Sequence, residues 1–304
     1  MALPESSPQV LSIQSHVVAG YVGNKSAVFP LNVLGFEVHS VNSVEFSNHT
    51  GYGKWKGQVL NAEELAELMS GLQINDLDNF SHLLTGYVGS ASFLEQVYET
   101  VKQLKEKNPK LVYVCDPVMG DNGQMYVPQE LLKIYRDKLI PLADVITPNQ
   151  FEVELLTGKT ITSEADAIEC MEMLHKMGVK VVVISSSVLG PSGCLTAFGS
   201  SKRSDAMEVW KLDIPRIPHL FTGTGDLFSA LLLAWLHLTN GDLSVAMVNS
   251  LGSLQEVLHR TSAYADAQVK LGKPYGAKLL ELQLIQSKKD IENPPQTFKA
   301  IRLS

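Results

Sequence analysis

Cysteine is scarce in this 304-residue chain: Cys115, Cys170 and Cys194 are the only three, and none has a partner at metal-ligand spacing. That excludes a disulfide framework and the common zinc spacings, and a reducing cytoplasm is the expected setting. Basic residues are outweighed, with 25 Lys and Arg against 32 Asp and Glu and a formal net charge of -7. No run of basic residues occurs, so neither nucleic acid nor an anionic membrane surface is an expected partner. The longest apolar run, Ala230 to Leu236, falls far short of the roughly 20 residues that cross a bilayer. It reads as a buried helix. The opening residues 1–9 are polar and carry Pro4 and Pro8, without the charged and apolar regions of a secretory signal, and read as a loose tail.

Three familiar signatures are missing as well. Gly51-Tyr52-Gly53-Lys54 is followed by Trp55 and lacks the strand before and the helix after that a Walker phosphate loop needs. No Gly-x-Gly-x-x-Gly stands between the first strand and helix, and Gly190-Pro191-Ser192-Gly193 is one residue short of a nucleophile elbow. The last reads as a turn.

What is present is a strand-helix alternation with enough apolar material, 45% of residues, for a large core. Apolar or β-branched runs at 10–13, 36–41, 111–115, 143–146 and 181–184 predict buried strands. Helices are predicted over 25–34, 61–72 and 90–107, from Ser163 to near Gly178, from Gly225 onward, and from Leu243 to about Ala267. Between them, 42–57 reads as a loop able to fold over a small ligand, and residues 283–304 as a less regular finish. The pattern predicts an α/β fold with a mostly parallel central sheet and helices on both faces. Short antiparallel additions are expected at 194–198 and 207–214, joined by the charged turn Lys202-Arg203-Ser204-Asp205. With no linker or repeat, residues 10–304 read as one domain.

Thr222-Gly223-Thr224-Gly225-Asp226 precedes the apolar helix. First-turn amides of a helix have no partner inside it, and glycines let an anion approach them closely. Gly223, Thr224 and Gly225 thus form a candidate cradle for phosphoryl charge, with Asp226 placed to take a proton from an attacking alcohol. The bland alternative is an ordinary turn in which Asp226 caps its own helix. Asp116 and Asp121, after one strand, and Glu152, after another, are the carboxylates that magnesium takes when phosphates and water complete its shell. Glu152 has a structural reading too, as the third residue of a capping box begun by Asn149. Ser15, Thr50 and Tyr87, like His16 and His49, carry no decisive signal on their own.

Together these stretches resemble the pyridoxal kinases of the ribokinase-like superfamily, most of all the plant-type eukaryotic forms. The likeness lies in VLSIQSHVVAGYVGNKSAVFP at 10–30, SNHTGY within 42–60, LTGY at 84–87, VYVCDPVMG at 112–120, TPNQFE at 147–152 and FTGTGDL at 221–227, so it spans nearly the whole chain. Gly-Thr-Gly-Asp is shared by many ribokinase-like kinases, whereas Ser15-His16 followed by Gly-Tyr-Val-Gly-Asn is more particular. The resemblance implies a three-layer fold and transfer of the ATP γ-phosphoryl group to the 5′-hydroxyl of pyridoxal, pyridoxine or pyridoxamine, with Asp226 as base. It implies that Ser15, Thr50 and Tyr87 surround the pyridine ring. Asp116, Asn149, Glu152, Ser185, Ser186 and Thr224 would lie at the nucleotide, flanked by Ile217 and Pro218. Asp121 and Glu152 would bear on Mg²⁺, or Zn²⁺, while Asp116 and Thr147 would hold K⁺ or Na⁺. A cytoplasmic homodimer is implied. The loop after Asp121 is shorter than in animal forms, and the resemblance carries no pattern over to residues 189–205. A hydroxymethylpyrimidine kinase of the same fold and a non-catalytic vitamer- or nucleotide-binding protein are the other readings.

Overall fold

The alternating runs all enter one sheet. The structure, a computed structural model, describes residues 7–203 and 206–303, so most of the expected tail and Ser204-Asp205 of the expected turn lie outside the described residues. From the N-terminus come β1 (Gln9–Val17), α1 (Asn24–Val33), β2 (Glu37–Phe46), β3 (Gly57–Val59), α2 (Ala62–Ile74), β4 (His82–Thr85) and α3 (Ala91–Lys107). There follow β5 (Val112–Cys115), a small hairpin of β6 (Gly120–Asp121) and β7 (Gln124–Met125), α4 (Glu130–Ile134), β8 (Val145–Ile146), α5 (Gln150–Thr157) and α6 (Glu164–Lys176). The last part holds β9 (Val181–Ser187), β10 (Cys194–Arg203), β11 (Ala206–Pro215), α7 (Thr224–Leu238), α8 (Leu243–Lys270), α9 (Lys288–Glu292) and β12 (Ile301–Arg302).

Ten strands share the sheet in the order β12-β11-β10-β9-β8-β5-β4-β1-β2-β3. From β9 to β2 every pair is parallel, and the antiparallel strands sit at the two margins. The period-2 geometry of a strand sends successive side chains to opposite faces. Leu11, Leu83, Tyr113 and Val182 accordingly pack with Leu65 of α2, Val97 of α3 and Met171 of α6. Their neighbours Val10, Leu84, Val114 and Val183 pack on the other face with Leu31 of α1, Leu232 of α7 and Met247 of α8. Both faces are therefore covered, as the expected three-layer fold requires. No helix among the described residues is long and apolar enough to cross a membrane.

Local chemistry explains where helices start. Asn61 and Asn149 each begin a complete capping box, closed by Glu64 and Glu152, and the hydroxyls of Ser90 and Ser163 cap α3 and α6. Other boundaries differ from the sequence reading. β2 continues to Phe46, because polar Asn42 is satisfied in place by the Asn24 amide at 2.8 Å and Phe46 stays paired with Val17 of β1. The loop expected over 42–57 is correspondingly shorter, and β3 closes it. Ser185-Ser186-Ser187 belong to β9, and β10 and β11, ten residues each, pair as a long hairpin rather than short additions. The irregular finish contains α9 and a β12 that pairs with β11.

Viewed along the sheet, β1 lies between β2 and β4, so the chain reverses its direction of growth there. In open α/β sheets the crevice at such a reversal, beyond the carboxyl strand ends, is where ligands bind. Those ends deliver Ser15, Asp116 and Thr147. The α7 helix beneath them is buried from Leu227 to Ala234. Leu232→Ala, at a fully buried position (0% exposed), should cost about 2–5 kcal/mol. Urea denaturation measures this, and a loss well under 1 kcal/mol would show that α7 is not integral to the core.

Candidate active site

The first turn of α7 is shaped by two glycines far apart in sequence. Gly223 caps the helix in the left-handed region (φ 81°), and a β-carbon there would strike the carbonyl oxygen of Tyr21. Gly23 (φ 52°) is equally constrained, since a β-carbon would strike the carbonyl oxygen of Ser15. The glycine-punctuated turn after β1 and the glycines before α7 therefore lie against each other. Across this contact the Gly23 amide donates to Asp226 Oδ2 at 2.7 Å. No side chain caps α7, so Asp226 is not the cap of its own helix. It projects from the third helical position toward the β1 turn instead. Burial pushes the Asp226 carboxyl above the usual carboxylate range, and the Gly23 bond opposes that rise.

Asp116, at the end of β5, meets the same turn from the side. Its Oδ2 lies 2.9 Å from the Ser229 hydroxyl, which is also 2.8 Å from the Gly225 carbonyl and 3.0 Å from Thr147 Oγ1. A β-carbon at Gly225 would come within 3.6 Å of Asp116 Oδ2, so the carboxylate stands directly against the glycine of the cradle. Burial and then the nearby charge of Asp226 push Asp116 up to about 7, against the pull of the Ser229 and Thr147 hydroxyls.

Glu152 closes the capping box of α5 and does more. Its Oε1 accepts from the amides of Met119 (2.9 Å) and Gly120 (3.4 Å), and its Oε2 from that of Asn149 (2.9 Å). Asn149 in turn donates to the Gly120 carbonyl at 2.7 Å. Both readings of Glu152 are thus physically compatible, since the cap itself holds the carboxylate beside Asp121. Burial first, then the charge of Asp116, pushes Glu152 well above its ordinary value. Asp121 accepts from the backbone and side-chain amides of Asn122. Asn122 and Gly123 (φ 50° and 78°) make the two-residue turn of the β6–β7 hairpin, which closes the short loop after Asp121.

One cleft of about 1650 Å³ runs along these strand ends. Ser15, Thr50 and Tyr87 line one part, with Phe46, His49 and Trp55 beside them. Asp116, Asp121, Thr147, Asn149 and Glu152 line it too, as do Gly223, Thr224, Gly225 and Asp226 and also Ser185, Ser186, Ile217 and Pro218. Ile217 and Phe221 pack with Leu254 and Leu258 into an apolar wall there. Every residue assigned a role by the resemblance therefore lines this cleft, whereas His16 does not and pairs instead with Glu45. Among the described residues no group of three or more His, Cys, Asp or Glu side chains is gathered as a metal cage.

Four participants escaped the sequence reading. Gly23 and Ser229 hold Asp226 and Asp116 as described. Glu281, from the segment after α8, accepts from the Tyr21 amide and the Tyr52 hydroxyl, each at 2.9 Å. Its Oε1 also lies 3.3 Å from Nε2 of His49, a residue without a sequence signal. Gly23 sat in a recognisable glycine turn, but nothing local announces its partner 203 residues away.

The arrangement can stabilise a migrating anion at the α7 amides while a nearby carboxylate accepts a proton. The phosphomethylpyrimidine kinase family matches residues 62–268. Human pyridoxal kinase is 52% identical over 97% of this chain and 99% of its own length, and the pyridoxal kinase of Arabidopsis thaliana is 50% identical over 100% and 97%. The solved pyridoxal kinase of Leishmania donovani in complex with ADP and pyridoxamine superposes with a TM-score of 0.90, at 34% identity over 98% of this chain and all of that one.

The raised Asp226 carboxyl makes a prediction about stability. Because the folded state holds the proton more tightly than the unfolded chain, stability falls as pH rises from the unfolded carboxyl value through the raised folded one. Asp226→Asn keeps an oxygen for the Gly23 amide and removes that loss. Its urea midpoint should exceed wild type at pH 8 and converge with it near pH 3. A midpoint no higher at pH 8 would mean that the buried charge is already compensated.

Proposed function

The chain belongs to the pyridoxal kinase family, and we propose that Asp226, held by the Gly23 amide at the mouth of α7, is the base of its reaction. The protein transfers the γ-phosphoryl group of ATP to the 5′-hydroxyl of pyridoxal, and of pyridoxine and pyridoxamine, giving the 5′-phosphate. Asp226 removes the hydroxyl proton, and its raised carboxyl value brings it closer to the pH at which it works. The amides of Gly223, Thr224 and Gly225 stabilise the charge of the transferring group, in a chemistry that depends mainly on positioning and electrostatics. Ser15, Thr50 and Tyr87 hold the pyridine ring and its substituents. Thr224, Asn149, Ser185 and Ser186 hold the nucleotide, with Asp116 and Glu152 beside it. Its base lies against Ile217, Pro218 and the apolar wall of Phe221, Leu254 and Leu258.

Two cations complete the reading. Three carboxyls in one cleft, Asp116, Glu152 and Asp226, are all pushed upward with burial as the leading cause. Uncompensated negative charge of this kind accepts a cation readily. Asp121 and Glu152 would hold Mg²⁺, Glu152 with its oxygens already engaged by amides, while phosphate and water oxygens complete the shell. Oxygen-only donors favour magnesium over zinc here. Asp116 and Thr147, with Ser229 between them, would hold K⁺ or Na⁺. When bound, these ions neutralise phosphate charge.

The proposal extends to residues 10–304 as one kinase domain and to a cytoplasmic homodimer. The single sheet from Gln9 to Arg302 supports the first, and the exposed edge strand β3, with Val59 58% exposed, supports a second copy.

An ATP-dependent assay with each vitamer, and with hydroxymethylpyrimidine in parallel, tests the substrate class directly. Asp226→Ala should lower kcat by roughly 10²–10⁴ with KM for ATP nearly unchanged. An unaltered kcat would reject Asp226 as the base. In the wild-type enzyme the acid limb of kcat should lie above the ordinary Asp value of about 3.9, because the protonated carboxyl cannot accept the substrate proton. A limb at or below that value would contradict the burial argument.

A further inference from the structure

We infer that Glu281 is a positioning residue for the vitamer, acting through His49 and Tyr52 on the turn that carries Thr50. The inference rests on the reading of Thr50 as a contact of the pyridine ring. Thr50–Tyr52 forms a single helical turn that buries none of its residues, so no apolar anchor holds it in place. Its fixed points are polar. The His49 side chain caps the turn by accepting the Gly51 amide at Nδ1, 3.2 Å away. That bond leaves the ring proton on Nε2, which faces Glu281 Oε1 at 3.3 Å. The Tyr52 hydroxyl donates to the same oxygen at 2.9 Å. Glu281 thus grips the residues on both sides of Thr50.

The other carboxylate oxygen holds the turn after β1. Oε2 accepts the Tyr21 amide at 2.9 Å, and two residues later the Gly23 amide holds Asp226. A β-carbon at Gly20 would sit on the Glu281 carboxylate, so the β1 turn is shaped around this group. One side chain therefore ties the ring-binding turn to the segment that fixes the base. Burial pushes its carboxyl upward, but the bonds from His49, Tyr52 and the Tyr21 amide outweigh that and hold it below the ordinary Glu value. The charged form is the one the site uses, and each of its partners is a donor.

A merely structural carboxylate would, when altered, lower the melting temperature and affect both substrates alike. A positioning role predicts a split. Glu281→Gln retains size but presents an amide to donors, and should raise KM for pyridoxal about tenfold or more, as expected for loss of charge-assisted hydrogen bonds. KM for ATP should change less than about twofold, the margin within which surface changes usually fall. Tyr52→Phe, which removes one hydroxyl and no charge, should show the same split at smaller amplitude. His49→Ala combined with Glu281→Gln should add little to either alone, since one acts through the other. An unchanged KM for pyridoxal in Glu281→Gln, an equal rise in both KM values, or full additivity with His49→Ala would overturn the inference. If Glu281→Gln does not fold, the outcome is read from Tyr52→Phe, where an unchanged KM for pyridoxal or an equal rise in both rejects it. Wild-type protein assayed beside them separates the two readings. Failure to phosphorylate pyridoxal at all rejects the function, whereas normal activity without the split rejects only the role of Glu281.

Discussion

The bond from the Gly23 amide to Asp226 is the constraint on which the site depends. It joins the first crossover of the sheet to the helix that underlies the whole cleft, and it exists only because both glycines let backbones approach where a side chain would collide. A carboxylate on a helix can rotate among several staggered positions. Fixed by an amide from another element, it is held to one direction, as the proposed base must be. The same bond satisfies a backbone donor that would otherwise lie unpaired in a part-buried turn. Orientation of the proposed base and closure of the fold are met by one contact.

The electrostatics of the cleft follow from that geometry. Asp116, Glu152 and Asp226 are drawn together by three separate strand or helix ends, and burial disfavours ionisation of each. A nucleoside triphosphate adds still more negative charge. Unbalanced, such a cleft would repel its own substrate. The amides of α7, the hydroxyls of Ser229 and Thr147 and the amides on Glu152 offset part of this, but each is a dipole and none carries a full positive charge. Among the described residues Arg216 is the one guanidinium in the lining, and the proposed cations would supply the remaining positive charge beside the carboxylates. The net charge of -7 shows that whole-protein charge is a poor guide to what one cleft binds.

Much of the fold was legible because it rests on short-range regularities. Capping boxes at Asn61 and Asn149, serine caps at Ser90 and Ser163, and β-branched runs such as Val181-Val182-Val183-Ile184 each declare themselves within a few residues. The end of β2 did not, because Asn42 and Ser43 break the apolar pattern and are accommodated through Asn24, Glu45 and the Tyr87 carbonyl. Among site residues, those in compact motifs were legible as candidates. Ser15, Thr50 and Tyr87 became so through family likeness, since a hydroxyl beside a strand end carries no message alone. Glu281 was illegible for a plainer reason: its partners Tyr21 and Tyr52 lie 260 and 229 positions away.

The two parts of the cleft are held by different kinds of force. Around the phosphoryl cradle, Asp226, Ser229 and Thr147 sit on elements whose apolar faces are locked into the core, so their placement is set by close packing. The turn at Thr50 has no such backing; Tyr52 and Trp55 are 37% and 45% exposed. Local opening costs least where few apolar contacts must be broken. On the proposed reading, the turn beside the ring is therefore the part held by polar bonds alone, while the α7 amides rest on the packed core. A reaction that depends on preorganised donors needs the rigid part where charge moves, and that is where the sequence spends its glycines and its most apolar helix.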